Sequence, residues 1–175
     1  GNNNAYAQDN EISWFDWSPN PKADELVEFT CRAVAIRREH PALHRKNFFQ
    51  GRKIRGSDVR DIVWLRPDGT EMTDAEWDAH WIRSIGLWLD GAALNELDEN
   101  GDNLVDDNLL LLLNAHTEQV SFTIPASDLG LPWQVLVDTR VAAQSDSATV
   151  EEGSSYELVG RSFVLLRQNR PDASP

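Results

Sequence analysis

Hydrophobic and polar positions change their spacing near residue 47. Before it, Leu26, Phe29, Ala33 and Ile36, joined by Val27 and Val34, recur at helical intervals and make one wide apolar face. Asn20-Pro21 supplies a capping side chain and then a proline suited to a first helical turn. Asp24, Glu25 and Glu28 stand early and Arg37-Arg38 late, as the helix dipole favours. The pattern predicts a helix that opens at Asn20-Pro21 and stops at Glu39-His40-Pro41, because the residue before a proline is driven out of helical geometry. A lone amphipathic helix cannot bury such a face, so it must pack on something else.

Beyond residue 47 short apolar runs take over, and they predict strands over Asp61–Leu65, Ile85–Leu89, Leu109–Leu113, Val120–Ile124, Gln134–Val137, Ser155–Leu158 and Ser162–Leu166. Asp68-Gly69, Asp90-Gly91 and Asn100-Gly101 are tight-turn pairs between them. Thr73 followed by Glu76 is a capping box, which predicts a brief helix over residues 74–82 carrying Trp77 and Trp81. Seven strands with antiparallel-style connections predict a mainly β fold, an antiparallel β-sandwich. Residues 1–17 read as an irregular, aromatic-rich loop, and the tail from Asn169 as disordered.

Composition narrows the partners. The 175 residues suit one domain, or a domain plus a fragment. The net charge of −13 is uneven: residues 61–175 carry 6 basic groups against 21 acidic ones, while residues 1–60 carry 10 against 8. No clustered basic face is available for phosphates, so nucleic acid is excluded as a partner. Leu109 to Leu113 is the longest pure apolar run, far short of the roughly 20 residues of a membrane span, so no membrane partner is expected. No signal-peptide pattern opens the chain. The lone Cys31 fits a reducing, cytoplasmic location and reads as core packing within the helix. Gly1 is not an initiator methionine, and the chain is expected to be processed, engineered or cut from something larger.

Several constellations are weighed and set aside. Asp98, Asn100 and Asp102 have the spacing of a calcium loop, but Asn103 and Leu109 stand where its glycine and glutamate belong, so a polar hairpin turn is the better reading. His40 and His44 are interrupted by Pro41, and no metal or cofactor is expected. His80 and His116 face no recognisable nucleophile turn, and the Ser145–Ser155 stretch has no histidine near it in sequence.

The stretch GNNNAYAQDNEISWFDW is more informative. Asn2, Asn3, Asn4, Gln8, Asp9 and Asn10 offer donors and acceptors suited to vicinal hydroxyls, while Tyr6, Trp14, Phe15 and Trp17 offer flat faces for the C–H side of a pyranose. Sugar binding needs that combination. As composition alone it also describes a polar loop with buried aromatics.

The run closely resembles the segment after the eighth barrel strand in bacterial glycogen debranching enzymes of the isoamylase type, members of the alpha-amylase family of glycoside hydrolases. The resemblance continues through the helix Asp24 to Glu39, the His40-Pro41 break, Phe48-Phe49-Gln50-Gly51, Val59 to Trp64, Gly69 to Met72 and Asn114-Ala115-His116. Ala7 stands where the family usually has cysteine. The resemblance implies a parent enzyme that hydrolyses alpha-1,6 branch linkages of glycogen or limit dextrin with retention, a chemistry that requires two opposed carboxyl groups about 5 Å apart. In the family those groups come from earlier barrel strands, so this chain is expected to carry no catalytic residue and to be inactive alone, with Asp9 and Glu11 in no such role.

On this reading residues 1–46 are the last loop and helix of a catalytic (β/α)8 barrel, 47–168 the C-terminal sandwich and 169–175 a disordered tail. Asn3, Asn4, Tyr6, Asp9 and Asn10 are the expected substrate-binding residues, since barrel active sites lie at the C-terminal ends of the strands. The expected partners are an alpha-glucan, bound through the parent barrel, and that barrel itself. Two alternatives stay open: a stand-alone carbohydrate-binding module with exposed tryptophan platforms, and a structural module whose contact surface is the helix face.

Overall fold

A computed structural model describes residues 6–51, 60–98, 100–141 and 148–173. The chain divides into two compact units, residues 1–32 and residues 33–175. Helix α1, Pro21–Glu39, runs across that division. It begins where the Asn20-Pro21 pair was expected to open it: Asn20 Oδ1 accepts the Lys22 N–H at 3.1 Å. Cys31 corrects an expectation. It is exposed, as are its apolar neighbours Leu26, Val27 and Phe29, so nothing in its own unit makes it a core residue.

The second unit is built on strands β1 (Ile62–Leu65), β2 (Ser84–Leu89), β3 (Asn108–Asn114), β4 (Val120–Thr123), β5 (Trp133–Asp138), β6 (Thr149–Val150), β7 (Ser155–Leu158) and β8 (Ser162–Gln168). Six form a sheet in the order β1-β2-β3-β8-β5-β6, and β4 pairs with β7 in a two-stranded ribbon. Every pairing is antiparallel. The seven predicted strands are all present with ends shifted by two residues or fewer; the two-residue β6 is too short for an alternating pattern to reveal. The predicted 74–82 helix is real only over α2, Asp74–Trp77, with the Thr73–Glu76 capping box formed.

Alternation along β3 explains the layers. Leu110 and Leu112 point to one face, with Leu65, Val164 and Leu166, and there they meet Phe122 of β4 and Leu158 of β7 in one buried cluster. The ribbon thus closes one face of the sheet, as in an unequal sandwich. Trp133, fully buried, stands edge-on to Trp88 at 5.8 Å between ring centroids. Leu109, Leu165, Ile62 and Leu89 point to the other face. There they pack with Ile36 from the last turn of α1, Ala42, and Leu94.

Two polar locks tie the segment after α1 to this second face. His40, 2% exposed, meets Asp106 through Nδ1 at 2.8 Å, and the Ala42 N–H donates to the other Asp106 oxygen at 2.9 Å. Arg45 donates to Asp61 at 3.0 Å and to the Leu94 carbonyl at 2.9 Å, with its guanidinium 4.4 Å from the Phe49 ring centre. The Gln50 and Gly51 N–H groups, both at 2.9 Å, complete the ring of donors around Asp61. A buried carboxylate is tolerated when so many donors surround it. Gly91 matters nearby: a Cβ there would lie 1.8 Å from the Asp106 carbonyl oxygen, so only glycine lets the turn after β2 approach the strand-entry segment.

Residues 33–46 therefore contribute to the core of the sheet unit, although the sequence assigned them to the segment before residue 47. Beyond β8, Arg170 donates its N–H to Asp107 at 2.8 Å and stands 3.7 Å from Asp90. The anchor is polar, which is why a search for apolar residues in the tail finds none.

Candidate functional site

The loop singled out by its composition folds by bonding to itself. Asn10 Oδ1 accepts the Ile12 N–H at 3.0 Å, and the Asn10 carbonyl accepts the N–H groups of Ser13 and Trp14, both at 3.0 Å. This is the Asx-type turn that asparagine favours. The Ser13 hydroxyl reaches back to the Gln8 carbonyl at 2.6 Å. Ala7, at φ +53°, turns the chain into the loop in a left-handed conformation that costs a non-glycine residue some strain.

The tight turn holds Asp9 and Asn10, two of the predicted site residues within the described chain. Asp9 Oδ1 accepts the Trp14 indole N–H at 2.8 Å, and Asn10 Nδ2 donates to Gln8 Oε1 at 3.1 Å. Tyr6 stands at 93% exposure and Trp17 at 86%; Trp14 and Phe15 are also exposed. The Phe15 and Trp17 rings meet edge to face, 4.7 Å between centres. Asp16 is held below the usual carboxylate range by the Ser18 hydroxyl and the Ser18 N–H. Asn3 and Asn4 lie outside the described residues. What remains is a fixed rim of amides, one indole-bound carboxylate and projecting aromatic faces. Groups of this kind suit hydroxyl-rich, flat-faced molecules.

Two other readings resolve differently. Asp98 Oδ1 accepts the N–H groups of Asn100 at 2.8 Å and Asp102 at 2.9 Å, and those bonds hold its carboxyl below the usual range. The three residues form a turn-stabilising motif, as expected. His40 gathers with Asp106 and Asp107, their ligand-type atoms lying within 4.8 Å of one another. His44, four residues from His40, is exposed and belongs to no such group among the described residues. Asp106 already accepts from His40, from Ala42 N–H and from Asp107 N–H at 2.7 Å, so the trio acts as a structural lock. Sequence reasoning saw only the helix stop at His40-Pro41, because the partner lies 66 residues away.

Known proteins place these features in context. The family described as isoamylase, C-terminal, matches residues 61–167. A glycogen operon protein GlgX homolog of Mycobacterium tuberculosis is 38% identical over 169 residues, covering 96% of this chain and 23% of that protein. An isoamylase of a Flavobacterium species is 26% identical over 170 residues, covering 97% of this chain and 21% of its own length. The chain thus spans about a quarter or less of the relatives it matches. Among solved structures, a pullulanase from Bacillus acidopullulyticus superposes with a TM-score of 0.54 at 15% identity, over 90% of this chain and 15% of that one, a likeness of fold.

Proposed function

We propose, from the premise that this chain belongs to the isoamylase C-terminal family, that it is the C-terminal part of a cytoplasmic debranching hydrolase. The substrate class is a branched alpha-glucan, glycogen or a limit dextrin, cut at its alpha-1,6 linkages. The observation that carries the reading is the 38% identity that extends through 96% of this chain, loop and helix included, to a protein named for the glycogen operon.

In this reading residues 1–46 complete a (β/α)8 barrel, and the exposed apolar face of α1, with Leu26, Val27 and Phe29, is the surface the rest of the barrel covers. Asn3, Asn4, Tyr6, Asp9 and Asn10 line the cleft and contact sugar. The loop's self-bonding supports a recognition role: groups already fixed by Asp9–Trp14 and Asn10–Gln8 bonds need little ordering when a substrate arrives. Bond cleavage belongs to an acid and a nucleophile on other barrel strands, since a retaining reaction needs both carboxyl groups flanking the scissile bond.

The test is release of linear chains from glycogen. The 175-residue chain alone is expected to be inactive, and a longer chain that includes barrel strands active. In the latter, Asp9→Asn is expected to weaken substrate affinity by about tenfold, on the order of 1–2 kcal/mol for a lost hydrogen-bonding group, with the catalytic constant largely kept. Turnover by the 175-residue chain that vanishes with Asp9→Asn would overturn the proposal.

A further inference from the structure

A cavity of about 580 Å³ opens in the sheet unit between the turn after β1, the segment that follows α2 and the loop joining β3 to β4; Arg66, Met72, Glu76, Trp81, His116 and Gln119 are among its lining residues. Its size falls in the range of small-molecule sites. Trp81 stands beside it at 67% exposure. A large indole left that open contributes little to the unit's own stability, although aromatic burial dominates core energetics elsewhere.

Polar groups that line the cavity are held by bonds within the turns that carry them. Arg66 donates to Glu76 at 3.0 Å and to Thr70 at 2.8 Å, and stands 3.2 Å from Asp68. Glu76 is fixed in turn by the Thr73 N–H at 2.7 Å and hydroxyl at 2.8 Å, which keep it ionised below the usual range. His116 Nδ1 accepts the Glu118 N–H at 3.0 Å, so the neutral ring carries its proton on Nε2 as a donor. Beneath it, Asn114 Nδ2 donates to the Glu118 carbonyl at 2.9 Å and the Val159 carbonyl at 3.0 Å, while Asn114 Oδ1 accepts the His116 N–H at 2.9 Å. Gly160 completes the support: a Cβ there would lie 2.2 Å from the Thr117 carbonyl oxygen, and the adjacent Arg161 N–H bonds to the His116 carbonyl at 2.9 Å. Asn114-Ala115-His116 is thus a buttressed turn that presents one imidazole at a cavity.

The charges that line the cavity are mixed: Arg66 is already paired with Asp68 and Glu76, and Arg83 stands among the lining residues with Glu118, so neither sign dominates and a neutral ligand fits. Trp81, the His116 imidazole, the Glu76 carboxylate and the Gln119 amide, which also donates to Glu157 at 2.7 Å, line one cavity, a combination that suits a pyranose with its C–H face on the indole and its hydroxyls on the rim. We propose that this cavity is a second glucan site, distinct in sequence from the loop of residues 6–17, that takes a linear segment of an alpha-linked glucooligosaccharide with one ring stacked on Trp81. The choice of glucose among hexoses rests on the debranching reading. The site holds polymer and performs no bond cleavage.

The 175-residue chain titrated with maltoheptaose, followed by calorimetry and by amide chemical shifts, tests this, with cellohexaose as the control. Saturable binding of maltoheptaose is expected, with shifts at residues 81 and 114–119. Trp81→Ala should weaken it about tenfold or more, equivalent to about 1.4 kcal/mol, with the thermal melt unchanged because the residue is exposed. His116→Ala should weaken it independently, and Trp14→Ala, in the other loop, should leave it intact. Absent binding, binding indifferent to Trp81→Ala and His116→Ala, or equal binding of cellohexaose would each overturn the inference. Debranching by a longer chain whose isolated C-terminal part shows no Trp81-dependent binding would sink this inference alone. Retained binding with no debranching would leave the second site standing and sink the hydrolase reading.

Discussion

Trp17 and Trp133 stand in opposite environments. Trp17, in residues 1–32, is almost wholly in solvent, while Trp133, in the sheet unit, is sealed between the sheet and the ribbon beside Trp88. Polar side chains differ in reach. In the loop they bond to neighbours within five residues, Asp9 to Trp14 and Ser13 to Gln8. In the sheet unit some are equally local, Arg66 to Thr70 and Glu76 to Thr73, but others join distant segments, His40 to Asp106 and Arg45 to Leu94. These loop bonds are local, whereas the sheet unit adds bonds that span more than 40 residues.

The contrast is open to attack by mutation. Trp133→Ala removes a fully buried indole and is expected to cost about 3–5 kcal/mol, whereas Trp17→Ala should change stability by less than about 0.5 kcal/mol; urea unfolding of both variants measures the gap. Equal effects would erase the distinction. Asp106→Ala leaves His40 Nδ1 and the Ala42 N–H buried without their acceptor and is expected to cost on the order of 2–3 kcal/mol. A double-mutant cycle with His40→Ala should recover part of it, and a null result would show the lock to be incidental.

The smallest effect concerns pH. Burial pushes the Asp90 carboxyl up, against the pull of the Ala92 N–H and Arg170. Between the ordinary Asp value and this raised one the folded state binds more protons than the unfolded state, so Asp90 makes stability fall as pH rises through that window. Asp90→Asn keeps an acceptor for the Ala92 N–H and removes the titration. Its stability relative to the unmodified chain should therefore improve from pH 3 to pH 7. Chemical denaturation across that range detects the trend, and a flat difference would show that Asp90 titrates normally.

What could be seen in the sequence was whatever has a short period. Strands β1 to β5, β7 and β8 announce themselves by apolar runs between Asp-Gly and Asn-Gly turns, and Thr73 with Glu76 marks its own helix start. Thr149–Val150 carries no alternation, and β6 went unseen. The loop's chemistry was legible as composition, but the Asp9–Trp14 bond depends on the turn at Asn10 that brings the indole back. The cavity at Trp81 was beyond reach for a different reason: its wall comes from three segments that meet only once the sheet and ribbon have formed. Its sequence traces were Trp81 and Asn114-Ala115-His116, a motif whose purpose is readable only in the structure, where Asn114 Nδ2 holds the carbonyls of Glu118, Leu158 and Val159 around the histidine turn.

The position of β8 in the sheet carries a consequence for synthesis. It lies between β3 and β5, so the last made of these eight strands is an interior one. During translation β1, β2 and β3 can pair in order as they emerge, but the far side of β3 stays open and β5 has no central neighbour until Ser162–Gln168 leaves the ribosome. At about 5–20 residues per second, that interval lasts seconds, with the Leu-rich edge of β3 exposed to other nascent chains. Premature termination anywhere before residue 162 would yield an unpaired edge with nothing to cap it, a substrate for chaperones or for aggregation and not a smaller folded protein.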